Sequence, residues 1–243
     1  MASISETGHA KNVANFQDLI AFVTGYGTSY SPNKAALKLP ALNTLYTTSQ
    51  SKLSDVTAKN TNFNNAVNAR IKSFAGIRPL ATRLVSALDA TDATKEKLNN
   101  AKAFNKKLQG RRATASINPK DPNTPAPATI SSSQQSYDQM IQHFAGLISV
   151  LSSEPSYTPN EIDLKIATLT AKQAELNARN SEVSTNYTAV SNARIDRNKT
   201  LYNTDTGLVD IAAEVKKYIK SVYGASSPEF AQVKAIEFKK ERR

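Results

Sequence analysis

Apolar residues with heptad spacing recur in two distant stretches of this chain, over residues 34–74 and 160–203. Alternate steps of three and four residues place such side chains on one narrow face of an α-helix. We therefore predict two long amphipathic helices, and Pro40 either kinks the first helix or marks its start. The stripe of the first helix comprises Leu39, Leu42, Tyr46, Leu53, Val56, Phe63, Val67 and Phe74, and that of the second comprises Ile162, Ile166, Leu169, Gln173, Leu176, Asn180, Val183, Tyr187, Val190, Arg194, Arg197 and Leu201.

The two stretches also match each other in sequence, which indicates an internal duplication. Residues 30–39 correspond to residues 157–166 at an offset of 127, whereas the motif Asn-Ala-Arg-Ile at 68–71 recurs at 192–195 at an offset of 124. The difference equals a deletion of about one helical turn, which leaves the stripe on nearly the same face. Flanking segments match in the same order, 16–20 with 137–141 and 103–107 with 236–240.

A segment rich in proline and serine separates the two halves. Residues 111–133 contain four prolines and no apolar periodicity, which is typical of a linker or crossover. We predict a basic helical repeat over 1–110 and a second helical repeat over 134–243, which together form either two domains or one pseudo-symmetric domain. Because alanine is abundant and there are only 8 glycines, the predicted fold is all-α, an elongated helical bundle with shorter helices beside each long one.

Positive charge is concentrated in the first half of the chain. The net charge is +11, and residues 1–108 carry 14 Lys and Arg against 6 Asp and Glu. Such clusters either bind a polyanion or simply complement helix ends and maintain solubility, and we favour the second interpretation. The candidate polyanion-binding residues are Lys95, Lys97, Lys102, Lys106, Lys107, Arg111 and Arg112, together with Lys239, Lys240, Arg242 and Arg243 at the end of the sequence.

Four polar residues occupy stripe positions where apolar side chains are expected. They are Asn60 and Arg70 in the first stretch and Asn180 and Arg194 in the second. A buried arginine must be paired, and polar residues on such a stripe often fix register or partner choice. Alternatively, the stripe ends locally and the arginine side chains reach water. Both interpretations remain open at the level of sequence.

The sequence contains no residue pattern that predicts catalysis or a bound cofactor. It has no cysteine and two histidines: His9, expected in a frayed N-terminus, and His143, expected on a helix surface or satisfied inside the protein. We therefore predict no metal, no cofactor and no enzymatic activity. The expected function is structural or protein-interacting, with a protein partner or self-association. The alternative is a basic protein that binds RNA, DNA or the ribosome.

Neither a signal peptide nor an apolar run of membrane-spanning length is recognisable, so we expect a cytoplasmic protein without a membrane partner. The opening residues 7–20, the Tyr-Ser-Pro-Asn sequence at 30–33 and the two Asn-Ala-Arg motifs resemble a set of uncharacterised bacterial proteins that are rich in helices and lack cysteine. That resemblance implies a bacterial, non-secreted context. It implies no activity and no site residues.

Overall fold

The computed structural model describes residues 8–110 and 135–240, and within these ranges the chain is helical without any strand. The predicted all-α fold class is therefore confirmed. No helix of the described part is both long enough and apolar enough to cross a membrane. The helices are α1 (His9–Gly25), α2 (Leu39–Phe74), α3 (Ile77–Asp89), α4 (Lys95–Leu108), α5 (Tyr137–Ser152), α6 (Ile166–Tyr202), α7 (Leu208–Tyr223) and α8 (Pro228–Lys234).

The two long helices begin several residues later than the sequence predicts. Short 3₁₀ helices at Ala35–Leu37 and Ile162–Leu164 precede them, and the backbone is extended at Lys38 and Lys165. This extended residue separates each 3₁₀ helix from the α-helix that follows. Pro40 marks a start rather than a kink, because it lies in the first turn of α2, where its missing N–H has no helical partner to lose.

The described residues fall into two compact units, and each unit takes helices from both halves of the sequence. Among the described residues, the first unit comprises 8–64 and 185–240, and the second comprises 65–110 and 135–184. The first therefore contains α1, α7 and α8 with the start of α2 and the end of α6, and the second contains α3, α4 and α5 with the other parts of the long helices. A division into packed units does not test whether the sequence arose by duplication. The repeats over 1–110 and 134–243 therefore remain a prediction.

Each unit has its own apolar core. The core of the first unit is built from residues such as Phe16 and Leu19 of α1 and Ile211 and Val215 of α7. The second unit is built in the same way around Phe144 of α5. In α1, buried side chains recur at the three- and four-residue steps of an amphipathic helix, so one face of the helix accounts for its burial.

Several buried residues of the long helices lie seven residues apart. On α2, Leu42, Ser49 and Val56 are buried, and Ser49 satisfies its hydroxyl by donating to the carbonyl of Leu45. A side chain that returns every seven residues stays on nearly the same face of a helix. On α6, the buried series is Leu169, Leu176, Val183, Val190 and Arg197.

Candidate functional site

The α4 basic face, formed by Lys95, Lys97, Lys102, Lys106 and Lys107, lies on one helix of the second unit. Thr94 caps the helix by accepting a hydrogen bond from the backbone N–H of Lys97. Ala101 and Leu108 are buried, so Lys95, Lys102 and Lys106 project from the opposite side, whereas Lys97 lies beside the buried face. All of them are exposed except Lys97, which is half-buried. Arg111 and Arg112, predicted to extend this surface, lie outside the described residues.

Several cations of the α4 basic face already have partners. Lys97 Nζ donates to the Ser153 carbonyl at 3.3 Å, and Lys102 Nζ lies 3.7 Å from a carboxylate oxygen of Asp89. Lys107 Nζ lies 5.6 Å from the centre of the Phe104 ring. Lys95 and Lys106 form no ion pair with any residue that the structure describes. These two lysines therefore offer the least compensated charge on this face.

The predicted C-terminal basic cluster lies in the first unit, in a different setting. Lys239 and Lys240 line a cleft of about 550 Å³. Arg242 and Arg243 lie outside the described residues. The cleft mixes charges of both signs, because its lining also includes Asp205, Asp210, Glu214 and Glu237. Five lysines and four carboxylates line the cleft, so their charges nearly cancel and attract a polyanion only weakly.

Two of the four polar stripe residues contact each other in the second unit. Arg70 Nη1 donates to Asn180 Oδ1 at 3.0 Å, and Asn180 Nδ2 donates to Asp138 Oδ1 at 2.7 Å. The Arg70 guanidinium carbon lies 4.0 Å from the centre of the Tyr137 ring, and Arg70 Nε is buried without a hydrogen-bond partner among the described residues. The other two lie in the first unit.

Those other two polar stripe residues differ in burial. Asn60 is exposed and Arg194 is half-buried. The most buried polar residue of α6 is Arg197, which is 0% exposed and donates from Nε and Nη2 to Asn198 Oδ1 at 3.0 and 2.9 Å. Arg197 belongs to the apolar stripe of the second long helix but is not among the four candidate polar residues. Its spacing of seven residues from Val190 was the signal that could have found it.

An exposed aromatic pair occurs where the long helices lie in the first unit. The rings of Phe63 and Tyr187 are 5.8 Å apart at 54°, and Tyr187 is 61% exposed. Ile195, farther along α6, is 39% exposed. Residues 60–64 and 185–193 carry no charged side chain. The aromatic side chains therefore lie among uncharged polar residues. Aromatic residues are enriched, and Lys, Glu and Asp are depleted, in protein–protein interfaces.

The start of α1 holds a buried polar cluster that sequence analysis did not anticipate. His9 was expected in a frayed N-terminus, which is wrong: it is 5% exposed, and its Nδ1 lies 2.7 Å from the Tyr202 hydroxyl. Asn12, 1% exposed, donates from Nδ2 to the Lys239 carbonyl at 2.8 Å and accepts from the Lys239 N–H at 2.9 Å. These bonds fix the C-terminal segment against α1.

The second histidine is buried in a different environment. His143 on α5 is 6% exposed, and its Nε2 has no hydrogen-bond partner among the described residues. Burial, and secondarily the positive charge of Lys107, lowers the pKa of the imidazole below its usual 6.5. The neutral form is therefore favoured in the folded protein. Within the described ranges, no group of three or more His, Asp or Glu side chains is arranged to hold a metal ion.

Comparison with known protein families, with curated proteins and with solved structures gives no match to this chain.

Proposed function

We propose that this chain is a non-enzymatic structural or protein-interaction protein that self-associates through a helix face. The observation that carries the proposal is the 61% exposed Tyr187, whose ring lies 5.8 Å from that of Phe63 in the first unit, between stretches of uncharged residues. Tyrosine contributes a large contact area at low conformational cost, and aromatic anchors supply much of the energy of protein interfaces.

The charge of the protein favours this surface for contact between two copies. Each copy carries a net charge of +11, so two copies repel each other over most of their surfaces. Along both helices the aromatic pair is flanked by Asn, Thr and Ser, with no lysine or arginine over 60–64 or 185–193. Lys59, one turn before Phe63, lies 4.0 Å from a carboxylate oxygen of Asp55, which offsets its charge. A symmetric contact brings identical patches together, and an uncharged patch avoids like-charge repulsion.

Sedimentation equilibrium of the purified chain tests the proposal. We expect a reversible dimer. Tyr187→Ser should raise the dissociation constant of this dimer by at least about tenfold, because the aromatic anchor is lost. Ile162→Ser is the matched control, since Ile162 is 75% exposed in the second unit. A wild-type chain that remains monomeric at high concentration, or equal weakening by both substitutions, would contradict self-association through the aromatic pair.

The internal duplication and heptad pattern are part of the same proposal. Support comes from the turns before the long helices, where the Tyr30 hydroxyl donates to the Leu37 carbonyl and the Tyr157 hydroxyl donates to the Leu164 carbonyl. The helix starts at Leu39 and Ile166 are also 127 residues apart. At this offset Arg70 corresponds to Arg197 rather than to Arg194. The bacterial, cytoplasmic context likewise remains a proposal.

Polyanion binding is the second candidate function, and the uncompensated Lys95 and Lys106 of the α4 basic face favour it. Fluorescence anisotropy with a labelled single-stranded RNA tests it. Binding should weaken with salt, and a triple Lys→Gln variant at 95, 106 and 107 should lower the salt slope by about two. The matched control replaces the exposed Lys11, Lys38 and Lys165 by Gln. Equal losses in both variants, or no binding at low salt, would contradict a specific role of this face.

A further inference from the structure

The C-terminal segment, residues 235–240, is held on the first unit mainly through its backbone. Asn12 makes two hydrogen bonds to the backbone of Lys239, and Asn15 Nδ2 donates to the Glu237 carbonyl at 2.6 Å. Lys216 Nζ donates to the Ile236 carbonyl. The side chains that hold the segment thus come from α1 and α7, and they contact main-chain atoms that any extended peptide presents.

The side chains of the segment alternate between the unit and solvent. Ile236 and Phe238 are half-buried and pack against the core of the first unit, whereas Glu237 and Lys239 are exposed. Lys216 Nζ also lies 5.3 Å from the centre of the Phe238 ring. An extended peptide with period-two alternation presents one face to a surface and the other to water. The surface beneath the segment therefore binds a peptide that has two apolar side chains separated by one residue.

The surface beneath the segment, which we call the C-terminal groove, is wider than the segment itself. A cleft of about 550 Å³ lies on its α7 side, and a second of about 700 Å³ is lined by α1 residues such as Phe22 and Tyr26. Ile236 lines both clefts, so space remains on either side of the chain. The first cleft is lined by lysines as well as by the carboxylates of Asp210 and Glu214, and Glu214 is paired with Lys34 at 2.6 Å.

We infer that the C-terminal groove accepts the C-terminal segment of a second copy of this chain. A second copy presents the same apolar alternation and the same cations, so every contact now made within one chain is reproduced between two. Only the connection at Ala235, where α8 ends, must change its path. Exchange of an identical element is a low-cost route to a dimer. The inference rests on the proposed self-association and assigns a second surface to it.

A complementation experiment between two full-length variants tests this inference. One variant carries Ile236→Asp and Phe238→Asp, which leaves its groove empty, and the other carries Asn12→Ala and Asn15→Ala, which releases its segment. Both also carry Tyr187→Ser, so contact through the aromatic pair does not contribute.

We expect monomers from each variant alone and a 1:1 heterodimer from the mixture by sedimentation. The control mixes the empty-groove variant with a chain that carries all four groove and segment substitutions. Its association should be at least tenfold weaker.

A mixture that stays monomeric, while circular dichroism shows both variants folded, would overturn the inference without affecting the proposal for Tyr187. If either variant loses its helical circular dichroism signal, the same inference is tested with wild-type chains. Chains labelled with ¹⁴N and ¹⁵N are refolded together at high concentration, and the amines of Lys11 and Lys239 are chemically crosslinked. Crosslinks between different isotopes support exchange of the segment. Crosslinks within one isotope only, including the case in which no dimer forms, overturn it.

Discussion

Arg70 and Asn180 are joined by a hydrogen bond of 3.0 Å between the end of α2 and the middle of α6, in the second unit. The bond pairs two residues that the heptad spacing had marked as anomalous. Asn180 in turn donates a hydrogen bond to Asp138, and the Arg70 guanidinium lies over the ring of Tyr137. A charged group in a partly desolvated site is stabilised by such contacts, and removing one partner leaves the other with an uncompensated polar group.

We predict measurable coupling between Arg70 and Asn180 in a double-mutant cycle. Arg70→Met and Asn180→Ala should each destabilise the protein, and their coupling energy in urea unfolding should be about 1.5 kcal/mol, at the lower end for hydrogen bonds that involve a charged group. The control cycle uses Arg83→Met and Asp163→Asn, an ion pair whose side chains are 53% and 54% exposed. Solvent screens that pair, so its coupling should be smaller. Additive effects at Arg70 and Asn180 would show that the contact contributes no coupling.

Gly146 allows α4 and α5 to approach each other in the second unit. A Cβ atom at Gly146 would lie 2.3 Å from a ring carbon of Phe104, which is closer than packed atoms allow. We predict that Gly146→Ala lowers the free energy of unfolding by about 1–3 kcal/mol through overpacking, despite the better helix propensity of alanine. Gly25→Ala is the control, because a Cβ there meets nothing within 4 Å. Thermal unfolding of both variants provides the comparison, and equal melting temperatures would contradict the close approach.

The all-α fold and the ends of the long helices near Phe74 and Tyr202 agree with the apolar spacing of the sequence. The spacing is a poorer guide to burial, because the stripe residues Ile162 and Tyr187 are 75% and 61% exposed. Sequence analysis placed the helix starts too early. The Ser-Pro-Asn and Thr-Pro-Asn sequences suggest helix starts, whereas the Tyr30 and Tyr157 hydroxyls each donate to a carbonyl seven residues later and close a separate turn. Local capping signals do not report such bonds.

The polar contacts of the site were harder to predict than the fold. Asn12 and Lys239 are separated by most of the chain, and no local pattern indicates that an asparagine side chain binds a distant backbone. The division into two units that mix both sequence halves also depends on tertiary contacts. By contrast, the burial of Arg197 was accessible from the seven-residue spacing alone.

The two turn tyrosines provide a test of the proposed duplication. The Tyr30 hydroxyl lies 2.7 Å from the Leu37 oxygen, the Tyr157 hydroxyl lies 2.9 Å from the Leu164 oxygen, and both bonds are buried. We predict that Tyr30→Phe and Tyr157→Phe each cost about 1–2 kcal/mol in urea unfolding, because a buried carbonyl loses its donor. Tyr187→Phe should cost little, since that side chain is 61% exposed. Clearly unequal costs at the two turns would argue against equivalent roles.

Burial raises the pKa of Tyr157 to about 12, in agreement with a hydroxyl that is buried and retained as a donor. A rise in pKa favours the protonated form in the folded protein. Ionisation of Tyr157 at high pH would remove the donor of its hydrogen bond to Leu164. The phenylalanine variants therefore remove this hydrogen bond at neutral pH without adding a charge.

His143 should make the protein less stable in mild acid. Burial lowers the pKa of its imidazole in the folded state, and Lys107 on α4 lowers it further, so below pH 6.5 the unfolded chain binds more protons than the folded one. The free energy of unfolding should therefore be unaffected above that pH and fall as the pH decreases, by at most about 1.4 kcal/mol per pH unit from this group. His143→Gln keeps a neutral polar side chain and should show a weaker pH dependence between pH 8 and 5 in urea unfolding. His9 is present in both proteins, so its contribution cancels in the difference. Identical pH profiles for the two proteins would show that His143 is protonated as easily inside the fold as outside it.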